Sequence, residues 1–323
     1  MIIQCMILTI LPPCAIPTDP TALEGVAPIT HLGVIKIEGE DAAKFIHGQL
    51  TQDFSLLDLH TARLAAFCTA KGRMQASFIG FKRSDTEILL VCSMDILPAT
   101  LKRLSMFVMR AKAKLSDVSA EYSLFGLTGS AITIIADKLN STWAKSELDS
   151  KILVNLYPAD GIPRQLCVAP VGTPAPQGQP LSADLWLWSE VRSGVATISA
   201  PVVEVFVPQM LNYESIGGVN FKKGCYPGQE IVARSQFRGT LKRRAFVVHA
   251  DASMAAGDEV FAADDSTQPV ATVVQAAPAP QGGFDAIVSV QLAAMQSGPL
   301  HLGTSEGPVI QIAPLPYTLL DDI

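Results

Sequence analysis

The sequence predicts an α+β protein, two strand-rich modules with helices laid on one sheet face, followed by a small all-β domain. Three observations predict it. Apolar runs of strand length recur from Leu32 to Ala169. Stretches with apolar residues at helical spacing sit between those runs. From Ala245 onward short apolar runs alternate with Gly, Pro and Asp turns, and no full helix intervenes. Period-two and period-3.6 patterns separated in this way describe helices covering a mainly antiparallel sheet, then a sandwich or barrel of about 80 residues.

The elements follow in order. "LGVIKI" reads as a strand, and "EGEDAAKFIHGQLTQDF" as a helix, with Asp41 near its start, where the helix dipole favours negative charge. Ala42, Phe45, Ile46 and Leu50 give that helix its apolar face. "RLAAFCTAKGRMQASFIGF" reads as a hairpin turning at Lys71-Gly72, "EILLVCS" as a strand, "LPATLKRLSMFVMRAK" as an amphipathic helix and "AKLSDVS" as a returning strand. In the second module "YSLFGLT", "ILVNLYP" and "QLCVAP" are strands, Ser130–Leu139 is helical, and "LSADLWLWSEVRSGVA" is a helix after a Pro/Gly loop. The division expected is an N-terminal extension over 1–29, a first α+β domain over 30–121, a second over 122–241, and the β domain over 242–323. The opening "MIIQCMILTILPPC" is too short to span a bilayer and lacks a charged leader region; it reads as an extension or a first strand.

With 323 residues, 49% of them apolar and 17% charged, the chain is globular. Its net charge of −6 excludes a broad phosphate-tracking surface, so no direct stable nucleic-acid binding is expected. The charge is uneven. Residues 222–244 hold seven basic side chains and one acid, a window of +6 that leaves −12 on the rest. Such a patch suits a small anionic ligand or a solvated, salt-bridged loop. The six cysteines form no CxxC, which predicts reduced thiols, a cytoplasmic protein and no metal cluster; no membrane association is expected.

One stretch, "NFKKGCYPGQEIVARSQFRG" from Asn220 to Gly239, concentrates the chemistry. Lysines next to Cys225 lower a thiol's pKa, and Gly224, Pro227 and Gly228 make a rigid turn. Cys225 is therefore either a nucleophile or redox group, or a cysteine packed beside a glycine turn. His31, His47, His60, His249 and His301 are scattered, and none lies near Cys225 in sequence, which argues against a Cys-His pair. Glu230, Glu204 and Asp53 are the carboxylates in motif-like surroundings.

These residues resemble the signature of the YgfZ family, folate-binding relatives of the glycine-cleavage aminomethyltransferase (T-protein). The pattern K-G-C-[FY]-x-G-Q-E is matched by Lys223, Gly224, Cys225, Tyr226, Gly228, Gln229 and Glu230. "GEDAAKFIHGQLTQDF", "FCTAKGRMQASF" and "EVFVPQMLNYESIGGVNF" resemble further family segments, so that the likeness covers roughly residues 30–320.

The resemblance implies a three-domain T-protein-like ring, two α+β domains and a C-terminal β-barrel, with tetrahydrofolate or a derivative near a central channel. It implies Cys225 and Lys223 as catalytic residues, and Gln49, Thr51, Lys71, Arg73, Tyr226, Gly228, Gln229, Glu230 and Arg234 as folate-binding residues. The T-protein places a catalytic aspartate on the hairpin that corresponds to "KGRMQASFIGF", which has no acid. The family therefore implies a folate-binding accessory protein for iron–sulfur enzymes, affecting tRNA modification indirectly. A tetrahydrofolate-dependent aminomethyl transferase and a direct tRNA-modifying enzyme are the alternatives. The acid-free hairpin counts against the first and the charge against the second.

Overall fold

The computed structural model describes residues 23–133, 141–237, 241–296 and 298–320. Strand β1 (Gly25–Ile29) is followed by β2 (Leu32–Glu38), α1 (Ala42–His47), β3 (Ala62–Cys68), β4 (Met74–Ser84), β5 (Glu87–Ser93), α2 (Leu97–Ser105) and β6 (Lys114–Asp117). The second module adds β7 (Tyr122–Thr128), β8 (Lys145–Leu148), β9 (Lys151–Ala159), β10 (Ile162–Pro170) and α3 (Ala183–Arg192). After a long connection with short 3₁₀ turns come α4 (Gln229–Phe237) and strands β11 (Arg243–Ala250), β12 (Glu259–Ala262), β13 (Ala271–Pro278), β14 (Phe284–Gln291), β15 (Leu300–Leu302) and β16 (Val309–Ala313).

Two antiparallel sheets run β3-β4-β5-β2-β6 and β1-β7-β10-β9-β8, and the last six strands close a barrel in the order β11-β14-β13-β12-β15-β16. Closure removes the unpaired edges a sandwich would leave. The sheets meet where Ala62 N–H donates to Trp143 O at 2.7 Å and Lys145 N–H donates to His60 O at 2.7 Å. Val34, Phe81 and Val91 from one sheet and Val154, Leu166 and Trp186 from the other module bury a common apolar layer.

The local readings differ from the structure in four places. Gly25–Ile29, placed in the extension, pairs with β7 from Gly25↔Thr128 to Ile29↔Leu124 and forms the edge of the second sheet; Met1–Ala22 lie outside the described residues. Helix α1 stops at His47 because Leu50 bridges Phe67 and Thr51 N–H donates to Ala66 O, which draws the chain into extended pairing. Helix α2 ends at Ser105, whose Oγ turns back on Leu101 O at 2.8 Å, a local bond that weakens helix continuation. The stretch from Ser130 begins as a 3₁₀ turn over Gly129–Ala131; residues 134–140 lie outside the described residues.

Helix α3 joins all three parts. Ser182 caps its first turn, accepting from Leu185 N–H at 3.2 Å. Its indoles and its last arginine point into neighbouring modules. Trp188 Nε1 donates to Asp285 Oδ2 at 2.8 Å, and Arg192 lies between Asp160 at 2.7 Å and Asp285 at 3.4 Å. Asp285, 1% exposed, also meets His249 Nδ1 at 2.8 Å. Removing one partner of such a buried network strands the others. Asp285→Ala is therefore expected to lose about 3–5 kcal/mol of stability, read from the midpoint of urea unfolding.

Candidate functional site

Three segments far apart in sequence converge on Cys225. The first is the end of α1 and the chain that follows it. Thr51 Oγ1 donates to Gly218 O at 2.6 Å and accepts from Ala66 N–H at 2.8 Å, while Asn220 N–H donates to Thr51 O at 2.9 Å. Gln52 Nε2 adds a bond to Gly217 O at 2.7 Å. This segment lays the start of the signature beside β3.

Lys223 fastens it. Its side chain is buried, and Nζ donates to His47 O and, at 2.6 Å, to Leu50 O. These carbonyls lie at and just beyond the C-terminal end of α1, where carbonyls lack intrahelical partners and the dipole favours a cation. The ammonium also lies 4.8 Å from the Tyr226 ring centroid. Burial pushes Lys223 down to about 8, with Asp53 and Cys225 pulling the other way.

The second segment is the β3–β4 turn. Gly72 and Gly228 both have positive φ, +71° and +81°, and their backbones touch. A side chain on Gly228 would put Cβ 2.4 Å from Thr69 O and 2.7 Å from Gly72 N. The two glycine motifs thus fit each other, with Ile231 of α4 packed over Gly72. The third segment is α4 itself. It is held by Gln209 Nε2 on Val232 O at 2.7 Å and by an edge-to-face contact of Phe221 and Phe237, with centroids 5.3 Å apart.

The expected residues therefore gather in one region but do different things. Cys225 is exposed. Thr51 and Gly228 are structural contacts, and Lys223 is turned inward on carbonyls rather than outward to meet a carboxylate. Gln229 opens α4, its N–H donating to Tyr226 O at 3.2 Å; Glu230 and Arg234 pair with each other on the surface at 2.7 Å. Lys71 is exposed at the turn, and Arg73 Nη1 is engaged by Val205 O. Gln49 Oε1 is buried without a hydrogen-bond partner among the described residues. The hairpin carries no acid, although exposed Glu204 reaches it and accepts from Gln75 Nε2 at 2.8 Å. A histidine does reach the loop: His47 Nε2 lies 3.4 Å from where a Gly224 Cβ would stand. No cluster of three or more metal-ligating side chains occurs among the described residues.

Sequence reading missed a second feature. A cavity of about 50 Å³ lies at the seam of the two sheets, lined by Leu64 and Ile79 of the β3–β4 hairpin and by Trp143, Arg164, Trp186 and Glu190. Arg164 is buried, its guanidinium 4.5 Å over the Trp186 ring, and burial pushes it down to about 10 against the pull of Glu190. Arg164 Nε and Trp143 Nε1 are buried without acceptors among the described residues. Glu190 accepts from Trp186 Nε1 at 2.8 Å, from Gln275 Nε2 at 3.1 Å, and pairs with His31 at 3.1 Å. Burial opposes its charge, yet His31 and Arg164 hold it below the usual carboxylate range. The available signal was a charged residue in each of two apolar runs, Arg164 in "IPRQLCVAP" and Glu190 in "LWLWSEVR".

Two modules and a barrel around a shared seam make the fold of aminomethyltransferase T. The structure of the glycine cleavage system aminomethyltransferase T from Bartonella henselae superposes with a TM-score of 0.63 over 92% of this chain and 87% of that one, at 13% identity. Sequence comparison narrows the class. The tRNA-modifying protein YgfZ of Edwardsiella ictaluri is 30% identical over 303 residues, 88% of this chain and 89% of its own. The chain belongs to the YgfZ family. The Colwellia psychrerythraea tRNA-modifying protein YgfZ is 29% identical over 247 residues, 73% of this chain and 74% of its own. An uncharacterized Haemophilus influenzae protein is 30% identical over 222 residues, 68% and 71% of the two chains. No family model matches the chain.

Two outcomes test the geometry. Limiting iodoacetamide on the folded protein should label Cys225 well before Cys68, Cys92 and Cys167, whose thiols are pushed by burial to about 12, 12 and 11; mass spectrometry of the peptides reads the order. Gly228→Ala should cost about 1–3 kcal/mol in urea unfolding, from a strained φ and the clash with the hairpin turn.

Proposed function

We propose that this protein binds a reduced folate and acts, through the Cys225 thiol, as an accessory factor that maintains iron–sulfur enzymes, with tRNA modification depending on it indirectly. The observation that carries the folate reading is the seam cavity, where two buried donors lack acceptors beside a carboxylate. A pterin's amino-pyrimidine edge offers N–H groups to a carboxylate such as Glu190. Its carbonyl and ring nitrogens accept from donors such as Arg164 Nε and Trp143 Nε1, and Trp186 supplies an apolar wall. The donor set fits. The cavity, at about 50 Å³, is narrower than the ring and must widen when ligand enters. When bound, a reduced folate supplies a carrier for one-carbon units.

The glutamate tail of a folate needs cations, and Lys71 and Arg73 stand at the tip of the hairpin whose strands line the cavity. Lys223, bound to two carbonyls, supports the loop that presents Cys225. Family membership supports the accessory role, as does the hairpin without its own acid. Glu204, the carboxylate that reaches the hairpin, is exposed and bonded to the Gln75 amide.

Fluorescence titration with tetrahydrofolate should show binding by the wild type. Arg164→Gln should bind about 10–150-fold more weakly, the loss of one desolvated charge-assisted bond. Cys225→Ser should bind like the wild type but fail to restore iron–sulfur enzyme activity in cells lacking the native protein. Absence of folate binding by the wild type, or full rescue by Cys225→Ser, defeats the reading. Tetrahydrofolate-dependent ammonia release from an aminomethylated lipoyl carrier would restore the transferase alternative.

A further inference from the structure

The imidazole that reaches the Gly224 backbone is held as a proton acceptor is held. His47 Nδ1 lies 3.1 Å from Asp53 Oδ1. Asp53 is itself fixed, with Oδ1 accepting from Leu56 N–H at 2.9 Å and its own N–H donating to Gln52 Oε1 at 2.8 Å. Burial works against its charge, but the Leu56 amide and His47 hold the carboxyl below its ordinary range. A carboxylate on Nδ1 places the imidazole proton there and leaves the Nε2 lone pair open. That nitrogen is the one facing the Gly224 backbone, one residue before Cys225, and it has no hydrogen-bond partner among the described residues. The His47 carbonyl receives the Lys223 ammonium, so two points of the same residue meet the two positions preceding the cysteine.

We propose that His47, oriented by Asp53, is the proton acceptor that activates the Cys225 thiol. The S–H proton passes to His47 Nε2, the bonding pair stays on sulfur, and a thiolate–imidazolium pair results. When the thiolate attacks an electrophile, the imidazolium returns its proton to the leaving group or to water. The inference rests on reading Cys225 as the functional thiol. The arrangement follows the general logic of a nucleophile, a base and an orienting carboxylate. Other charges lie near the loop: Lys222 and the buried Lys223 precede the cysteine, Asp53 acts on the Lys223 ammonium, and Glu230 pairs with Arg234 on α4. Lys223, pushed by burial to about 8, titrates inside the pH range of the test in every variant alike, so the difference between His47→Gln and the wild type, not the wild-type midpoint, reports on His47.

The test is the pH profile of Cys225 alkylation by iodoacetamide, read peptide by peptide from about pH 5.5 to about pH 9.5, around the ordinary thiol value of about 8.5. The wild type should already react readily near neutral pH. His47→Gln should move the midpoint up by about one unit and slow the reaction about ten-fold near neutral pH. Asp53→Asn should move it the same way by less. At the alkaline end all three should react alike, and Cys68 and Cys92 should stay unlabelled, which certifies the fold. A His47→Gln profile that superposes on the wild type overturns the proposal.

A second measurement avoids changing the packed histidine. In Cys225→Ser, altered only at the exposed position, the His47 imidazole followed by nitrogen NMR should titrate lower than in the wild type, because the thiolate that favours the imidazolium is gone. An unchanged titration also overturns it. Rescue by Cys225→Ser in cells would instead defeat the functional reading and leave the His47 result standing.

Discussion

The Lys223 ammonium is the contact on which the candidate site depends. It bonds His47 O and Leu50 O where α1 ends, and so ties the signature loop to a helix 176 residues earlier in the chain. Those carbonyls would otherwise be buried without donors, at a cost of about 1–3 kcal/mol each. With Lys223 turned inward, the chain on either side faces opposite ways: Tyr226 packs under the ammonium, while Cys225 stands in solvent. The loop is then closed by the Gly72–Gly228 contact. Two fixed points a few residues apart leave the thiol little freedom of place.

That rigidity draws on the rest of the molecule. The largest apolar cluster takes residues from the first sheet, the long connection and the barrel, among them Phe67, Tyr213 and Ile287. Above it, Asp285 joins Trp188, Arg192 and His249 across module boundaries. A buried charge network with every partner in place specifies one arrangement of its elements strongly, since displacement of any one strands the others. The seam cavity is lined by both sheets and by α3, so its polar residues are positioned by this same docking.

One hairpin links the Cys225 loop to the seam cavity. The hairpin whose turn packs under Gly228 is the one whose strands reach the cavity at Leu64 and Ile79. From Lys71 to Phe81 this hairpin carries apolar, amide, hydroxyl and basic side chains and no acid. At the hairpin's far end its turn packs against the loop that carries the exposed Cys225.

The sequence alone determined the elements set by short-range pattern: the alternating strands, the hairpin at Lys71-Gly72, the helix after the Pro/Gly loop and the closing β domain. Each depends on side-chain periodicity or turn chemistry within about ten residues, which is printed in the order of residues. Cys225 was legible for the same reason, because its glycines and lysines are its neighbours in the chain. What only the tertiary structure decided depends on long-range packing. Gly25–Ile29 became an edge strand because β7, a hundred residues on, left an edge to pair. Lys223 became an internal fastener because the end of α1 needed donors. His47, far from Cys225 in sequence, reached its loop because Thr51 and Lys223 hold the two segments together. Arg164 and Glu190 face one cavity because a strand of one module and the helix that follows it meet at a seam. No local pattern encodes such meetings; they exist only once apolar burial has docked the modules.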